Sequence, residues 1–186
     1  VGFEKTNRSF GRDRSGEPCI LKSVLFVCAG NVCRSPACQG VMESLIARRG
    51  LMGSVRVDSA GILDDRLGEK ADWRMRWVSF LRGYRLRTRS RLINRLDLDR
   101  FDLVIALDRS VLSDLQRIHS RPRCELRLLS DYLPDHTPCD VPDPVNRPLK
   151  DFRSVLSVIE QACPHILDAI AGDEPAPAEQ FLPGSA

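Results

Sequence analysis

Residues 28–35 hold two cysteines, a Gly-Asn pair, an arginine and a serine, directly after the apolar run Val24-Leu25-Phe26-Val27. Together these residue types can attack an anion. The thiolate of Cys28 is the reactive form, and it is favoured beside a guanidinium and a helix N-terminus. Gly30 and Asn31 tolerate left-handed backbone, so Ala29 to Arg34 can curl until their amide N–H groups converge on one anion. Arg34 adds a planar fork matched to two phosphate oxygens, and Ser35 can donate a hydrogen bond to the sulfur. Alone, a cysteine that ends an apolar strand is usually a core residue. The company of Cys28 is what argues for chemistry.

Such a loop needs a strand to deliver the thiol and a helix to aim its N-terminus at the same point. Residues 24–28 read as a short strand buried on both faces. Pro36 suits the first turn of a helix running to Gly50, with Val41, Met42, Leu45 and Ile46 at helical spacing. Further strands are expected over 55–61, 102–107 and 124–129. Further helices are expected over 70–82, 109–118 (capped by Asp108) and 155–170 (bent at Pro164). Alternating β and α patterns imply parallel pairing. The expected fold is a single three-layer α/β domain with a four-stranded, mainly parallel sheet, helices on both faces and the phosphate-binding loop after the first strand. It is expected over residues 23–172, between a flexible extension (1–22) and a disordered acidic, proline-rich tail (173–186).

Composition narrows the classes. With 186 residues, 42% of them hydrophobic, the chain can bury one substantial core. A net charge of +3 is too small to imply a nucleic-acid partner by itself. No apolar run approaches a membrane span. Seven cysteines without a secretion signal, in a chain too long to need disulfide stapling, point to reduced thiols and a cytoplasmic setting. Cys28, Cys33 and Cys38 are evenly spaced, but Arg34 disfavours a cation among them and no histidine is near in sequence. The stretch DHTPC (135–139) is equally thin, so no metal site is expected.

The string Cys28-Ala29-Gly30-Asn31-Val32-Cys33-Arg34-Ser35-Pro36 resembles the signature loop of the low-molecular-weight protein tyrosine phosphatases. The resemblance continues in family order through VDSAG (57–61), GEKAD (68–72), FDLVIALDRSVLSDL (101–115) and PDP (142–144). It implies a phosphomonoester hydrolase that needs no metal or cofactor. Cys28 would form a phosphocysteine while Arg34 and the loop amides hold the transition state. An acid would protonate the leaving oxygen, and water would then hydrolyse the thiophosphate. Asp143 matches the family's acid, and Val141-Pro142-Asp143-Pro144 is a stiff, extended segment able to present a carboxyl. Asp140 is its nearest competitor. The family cysteine at the position of Cys33 can form a reversible disulfide with the nucleophile; simply filling the loop interior is the alternative role. The implied partner is a phosphorylated protein, with phosphotyrosine as the first choice.

Several positions depart from the family. Asp65 stands where phosphotyrosine-specific members carry a tryptophan. Val145, Asn146 and Arg147 replace the tyrosines and glycine after Asp-Pro, and Thr88 replaces a histidine that supports the loop asparagine. A weakened phosphotyrosine preference is therefore expected, with Trp73 and Trp77 at a helical spacing that suits core packing better than a pocket wall. Three rival readings follow. A protein arginine phosphatase would carry threonine at Val32. An arsenate reductase would need relay cysteines where none occurs between Cys38 and Cys124. An inactive phosphate-binding module would not need Cys28, Arg34 and Asp143 together. Finally, segment 74–95 holds eight arginines and no acid. Arg85, Arg87, Arg89 and Arg91 would share one side of an extended chain. Arg91 matches a family arginine and reads as structural. The others form either a solvated face or a surface for an anionic protein partner.

Overall fold

The computed structural model describes residues 9–12, 18–133 and 140–172. The strands are β1 (Ser9–Arg12), β2 (Pro18–Ile20), β3 (Lys22–Cys28), β4 (Val55–Gly61), β5 (Leu103–Ala106) and β6 (Glu125–Leu128). The helices are α1 (Arg34–Arg48), α2 (Trp73–Leu81), α3 (Asp97–Arg100), α4 (Arg109–Ile118) and α5 (Leu149–Ala171), with a 3₁₀ turn at Leu129–Tyr132. Strands β3 to β6 form one sheet in the order β4-β3-β5-β6, every pair parallel.

Side-chain alternation along β3 sets the layering. Val24, Phe26 and Cys28 pack into one core with residues of α1, α2 and α5, whereas Leu25 and Val27 pack into another with Val111 and Leu115 of α4. Successive strand residues point to opposite faces, so a strand that is apolar throughout must be covered on both sides. Three layers result, as expected.

The differences from expectation lie at the element ends. Helix α1 starts two residues before Pro36, because the loop closes so tightly that Cys33 already occupies the N-cap. Helix α5 starts at Leu149 rather than 155. Pro148 at its N-cap has no N–H to leave unpaired, and Leu149 and Phe152 prolong the apolar stripe by two turns. Pro164 lies within the helix, which ends where Gly172 adopts φ 72° and returns its amide to Asp168 O. Within the expected N-terminal extension, β1 and β2 pair antiparallel as a separate two-stranded ladder (Ser9↔Ile20, Arg12↔Pro18), and the main sheet already begins at Lys22. The run 85–91 makes a single isolated bridge, Lys70↔Arg89, and Arg85, Arg87 and Arg89 are all exposed. The tail 173–186 and the DHTPC stretch lie outside the described residues. Among the described residues, no helix is long and apolar enough to cross a membrane.

Candidate active site

Parallel sheets place ligands beyond the carboxyl ends of their strands. Three such ends meet here: Cys28 closes β3 opposite Gly61 at the end of β4, and β5 runs through Ala106 into Asp108. The loop after Cys28 turns on Asn31, whose φ is 52°. Its carbonyls are engaged from outside. Cys28 O accepts from Ile62 N at 3.1 Å, Ala29 O from Leu63 N at 2.9 Å and Val32 O from Asp72 N at 2.7 Å. Gly30 O accepts from Ser90 Oγ at 3.1 Å. The C=O and N–H of one trans peptide point in opposite directions, so the amides of Ala29, Gly30, Asn31 and Cys33 turn inward. None of these amides donates to another backbone group of the described residues. This is an anion nest at a helix N-terminus.

The nest has little slack. A Cβ on Gly61 would lie 2.7 Å from Ala29 O and 2.9 Å from Asn31 N. Gly61→Ala must therefore push the loop off β4. The expected result is a stability loss of about 1–3 kcal/mol in denaturant unfolding, with a larger fall in anion affinity than in any property of the distant helices. An unchanged inhibition constant for inorganic phosphate would show that the loop absorbs the methyl group.

At the floor, Cys28 is 2% exposed and its Sγ lies 3.1 Å from Ser35 Oγ. That hydroxyl accepts from Asn31 Nδ2 at 2.8 Å and sits 3.2 Å from Ala60 O. It has one proton, to give either to Ala60 O or to sulfur, and a charged sulfur is the stronger acceptor. Asn31 also donates to Ser59 Oγ at 3.0 Å and accepts from Arg91 N at 3.0 Å, while Ser59 donates to Gln39 Oε1 at 2.7 Å. Asn31, for which the family resemblance implies support from the position of Thr88, is thus held by Ser59 and the backbone of Arg91. Arg91 itself is pinned by Asp58 at 3.0 Å and Asp97 at 2.9 Å, the structural role expected for it.

Arg34 forms the opposite wall and is 3% exposed. Its Nη1 donates to Asp108 Oδ2 at 2.6 Å and to Val141 O at 2.9 Å, and its Nη2 to Asp143 Oδ2 at 2.7 Å. Burial works against its charge, but Cys28, Asp143 and Asp108 outweigh that and hold its pKa above the ordinary arginine value. Its buried Nε has no hydrogen-bond partner among the described residues. The other oxygen of Asp108 accepts from Val111 N at 2.7 Å, so one carboxylate caps α4 and fixes Arg34. Asp143, with 42% of its side chain exposed, accepts from Val145 N through Oδ1 at 3.0 Å. Asp140, its competitor, is instead engaged by the amide of Arg109 at 3.0 Å. Burial first, then the negative charges of Asp72, Asp143 and Cys28, push the Cys33 thiol far above its usual range. Cys38 is buried against Cys163 of α5, and burial also raises its pKa.

Cys28, Ala29, Gly30, Val32, Cys33, Arg34 and Asp143 share one cavity of about 170 Å³. The model of the low-molecular-weight phosphotyrosine protein phosphatases matches residues 23–176 of the chain. The chain belongs to that family. A solved structure of YfkJ from Bacillus subtilis superposes with TM-score 0.77 at 32% identity, covering 82% of this chain and 96% of that one. A protein tyrosine phosphatase from Entamoeba histolytica gives 0.73 at 33%, covering 81% and 98%. A Drosophila arginine phosphatase gives 0.72 at 28%, covering 78% and 96%.

The aromatic walls that the family resemblance implies are absent from the mouth of the cavity among the described residues. Leu63, Asp65, Arg66 and Val145 line it, and no aromatic residue does among those described. Trp73 and Trp77 do not substitute. Nor are they core residues, as their spacing suggested: they are 68% and 50% exposed. Helix α2 buries Met75, Val78 and Ser79 and turns its tryptophans outward. Both faces of this helix repeat at helical spacing, so periodicity alone could not say which one was inside.

Proposed function

We propose that this chain is a phosphoprotein phosphatase acting on phosphotyrosine, with Cys28 as nucleophile, Arg34 as phosphate clamp and Asp143 as general acid. One observation carries the assignment: a buried guanidinium whose Nε–H has no partner among the described residues lines the same small cavity as a thiol and a ring of inward amides. A dianionic phosphate supplies the missing acceptors. On binding, it competes with Asp143 for Nη2 and frees that carboxylate, which takes up a proton from solvent and meets the leaving oxygen. Cys28 Sγ then attacks phosphorus as the bond to the leaving oxygen breaks, and Asp143 gives that oxygen its proton. Water attacks the phosphocysteine and passes a proton to Asp143. The P–S electrons return to sulfur, to which Ser35 donates, and inorganic phosphate leaves. Val32, Gly30 and Asn31 shape the nest. Cys33, kept as a thiol, would condense with a peroxide-oxidised Cys28 sulfenic acid to give a disulfide and water. Five free cysteines among the described residues suit a cytoplasmic enzyme.

Phosphate release from p-nitrophenyl phosphate by the wild type, and its loss in Cys28→Ser, tests the reading; an active Cys28→Ser would overturn it. Selectivity is expected to be modest. Each missing aromatic contact removes about 0.5–1.5 kcal/mol of aryl recognition. Peptides bearing phosphotyrosine, phosphoserine or phosphoarginine should therefore differ in kcat/KM by less than about a thousandfold, on the order of 4 kcal/mol. A larger phosphotyrosine preference would mean that another wall closes over the ring.

A further inference from the structure

Helix α2 carries the most exposed aromatic surface among the described residues: Trp73 is 68%, Trp77 50% and Phe80 59% exposed. These side chains wall an open groove of about 640 Å³, which Arg76, Arg85 and Arg87 also line. Single exposed apolar residues are ordinary, but a contiguous aromatic set rimmed by one sign of charge marks an interaction surface. Six of the eight arginines of segment 74–95 fall into two groups. Arg74, Arg82 and Arg91 are paired with Asp72, Glu160, and Asp58 and Asp97. Arg76, Arg85 and Arg87 form no salt bridge with any described residue, and residues 73–96 supply no acid. A groove with aromatic walls and cations that no described acid pairs is complementary to an acidic chain bearing an apolar anchor.

The groove also adjoins the cavity. Asp72, the N-cap of α2, donates its amide to Val32 O of the loop, and Arg74 Nη1 donates to Arg147 O, just beyond Asp143. Leu149, at the start of α5, lines the groove two residues further on. A chain whose phosphate occupies the nest can therefore continue into it.

We propose that this groove docks an acidic segment, with a leucine or aromatic anchor, of the same phosphoprotein whose phosphate enters the Cys28 cavity. The proposal rests on the phosphatase reading and names its substrate class: phosphoproteins with acidic flanks.

Two phosphotyrosyl peptides test it, one flanked by Asp, Glu and Leu, the other by Ser and Ala, beside p-nitrophenyl phosphate. Wild type should favour the acidic peptide in kcat/KM by about tenfold or more at low salt, mostly through KM. The double variant Arg85→Glu/Arg87→Glu, both residues exposed, should erase that preference and leave p-nitrophenyl phosphate turnover unchanged. A second readout needs no catalysis. The chain has two tryptophans and both line the groove, so the unphosphorylated acidic peptide should shift their emission, and added salt should reverse the shift. Equal kcat/KM for the two peptides, or unmoved emission, overturns the proposal. A preference that appears only after residues 173–186 are deleted assigns the groove to the chain's own acidic tail and overturns it too. Inactivity of wild type on every phosphoester would sink the phosphatase reading instead, while the emission shift would still judge the groove.

Discussion

Arg34→Lys is expected to lower kcat for p-nitrophenyl phosphate by roughly 10²–10³, the usual loss when one preorganised donor to a developing oxyanion is removed. The replacement keeps the charge, so electrostatics alone would predict a mild effect. Geometry predicts otherwise. The guanidinium serves four directions at once: Asp108 and Val141 O through Nη1, Asp143 through Nη2, and an empty one through Nε. An ammonium on a shorter stem can satisfy Asp108 or a phosphate oxygen, but cannot span both in a plane. A lysine that keeps Asp108 forfeits Val141 O and Asp143, a cost in stability, and one that turns to phosphate leaves Asp108 a largely buried carboxylate without its partner, a cost in rate. The variant should unfold at lower denaturant, bind phosphate more weakly and turn over slowly even with an activated leaving group. A variant within fivefold of wild type in kcat would show that the nest amides alone hold the transition state.

What could be read from the chain and what could not follows from how local each interaction is. Cys28 to Pro36 set the thiol, the loop, Arg34 and the helix start in nine consecutive residues, so their order could be matched to a family loop. Asp143 stands out only through the family position of its loop, because a carboxylate between two prolines is locally no more than a stiff, solvated turn residue. Local sequence marks Asp108 only as a helix cap. Its second role, holding Arg34, depends on β5 lying next to β3, and strand order is a long-range fact. The chain from Asn31 through Ser59 to Gln39 joins a loop, a strand and a helix, so no local pattern announces it. The α2 tryptophans failed for another reason. A helix that is apolar on two faces has no single amphipathic reading, and the face chosen for burial depends on what α5 offers it.

Asp143→Asn is expected to separate the two halves of the reaction by leaving group. With p-nitrophenolate, which departs without help, phosphocysteine formation should survive with a modest loss. With phosphotyrosine or an alkyl phosphate, whose oxygen must be protonated as it leaves, kcat/KM should fall by about 10²–10⁴, the range that positioned general acids contribute. The amide can still accept from Val145 N through its oxygen, so the turn should hold. It offers Arg34 Nη2 a neutral partner in place of a carboxylate, which removes the competitor that a phosphate must displace in the resting site. Inorganic phosphate should accordingly bind Asp143→Asn at least as tightly as wild type while turnover collapses. This pairing of unimpaired binding with lost proton transfer is what a merely structural Asp143 would not produce. Equal losses on good and poor leaving groups, together with weaker phosphate binding, would move the acid role elsewhere. Asp140, now engaged by the amide of Arg109, would be the next residue to replace.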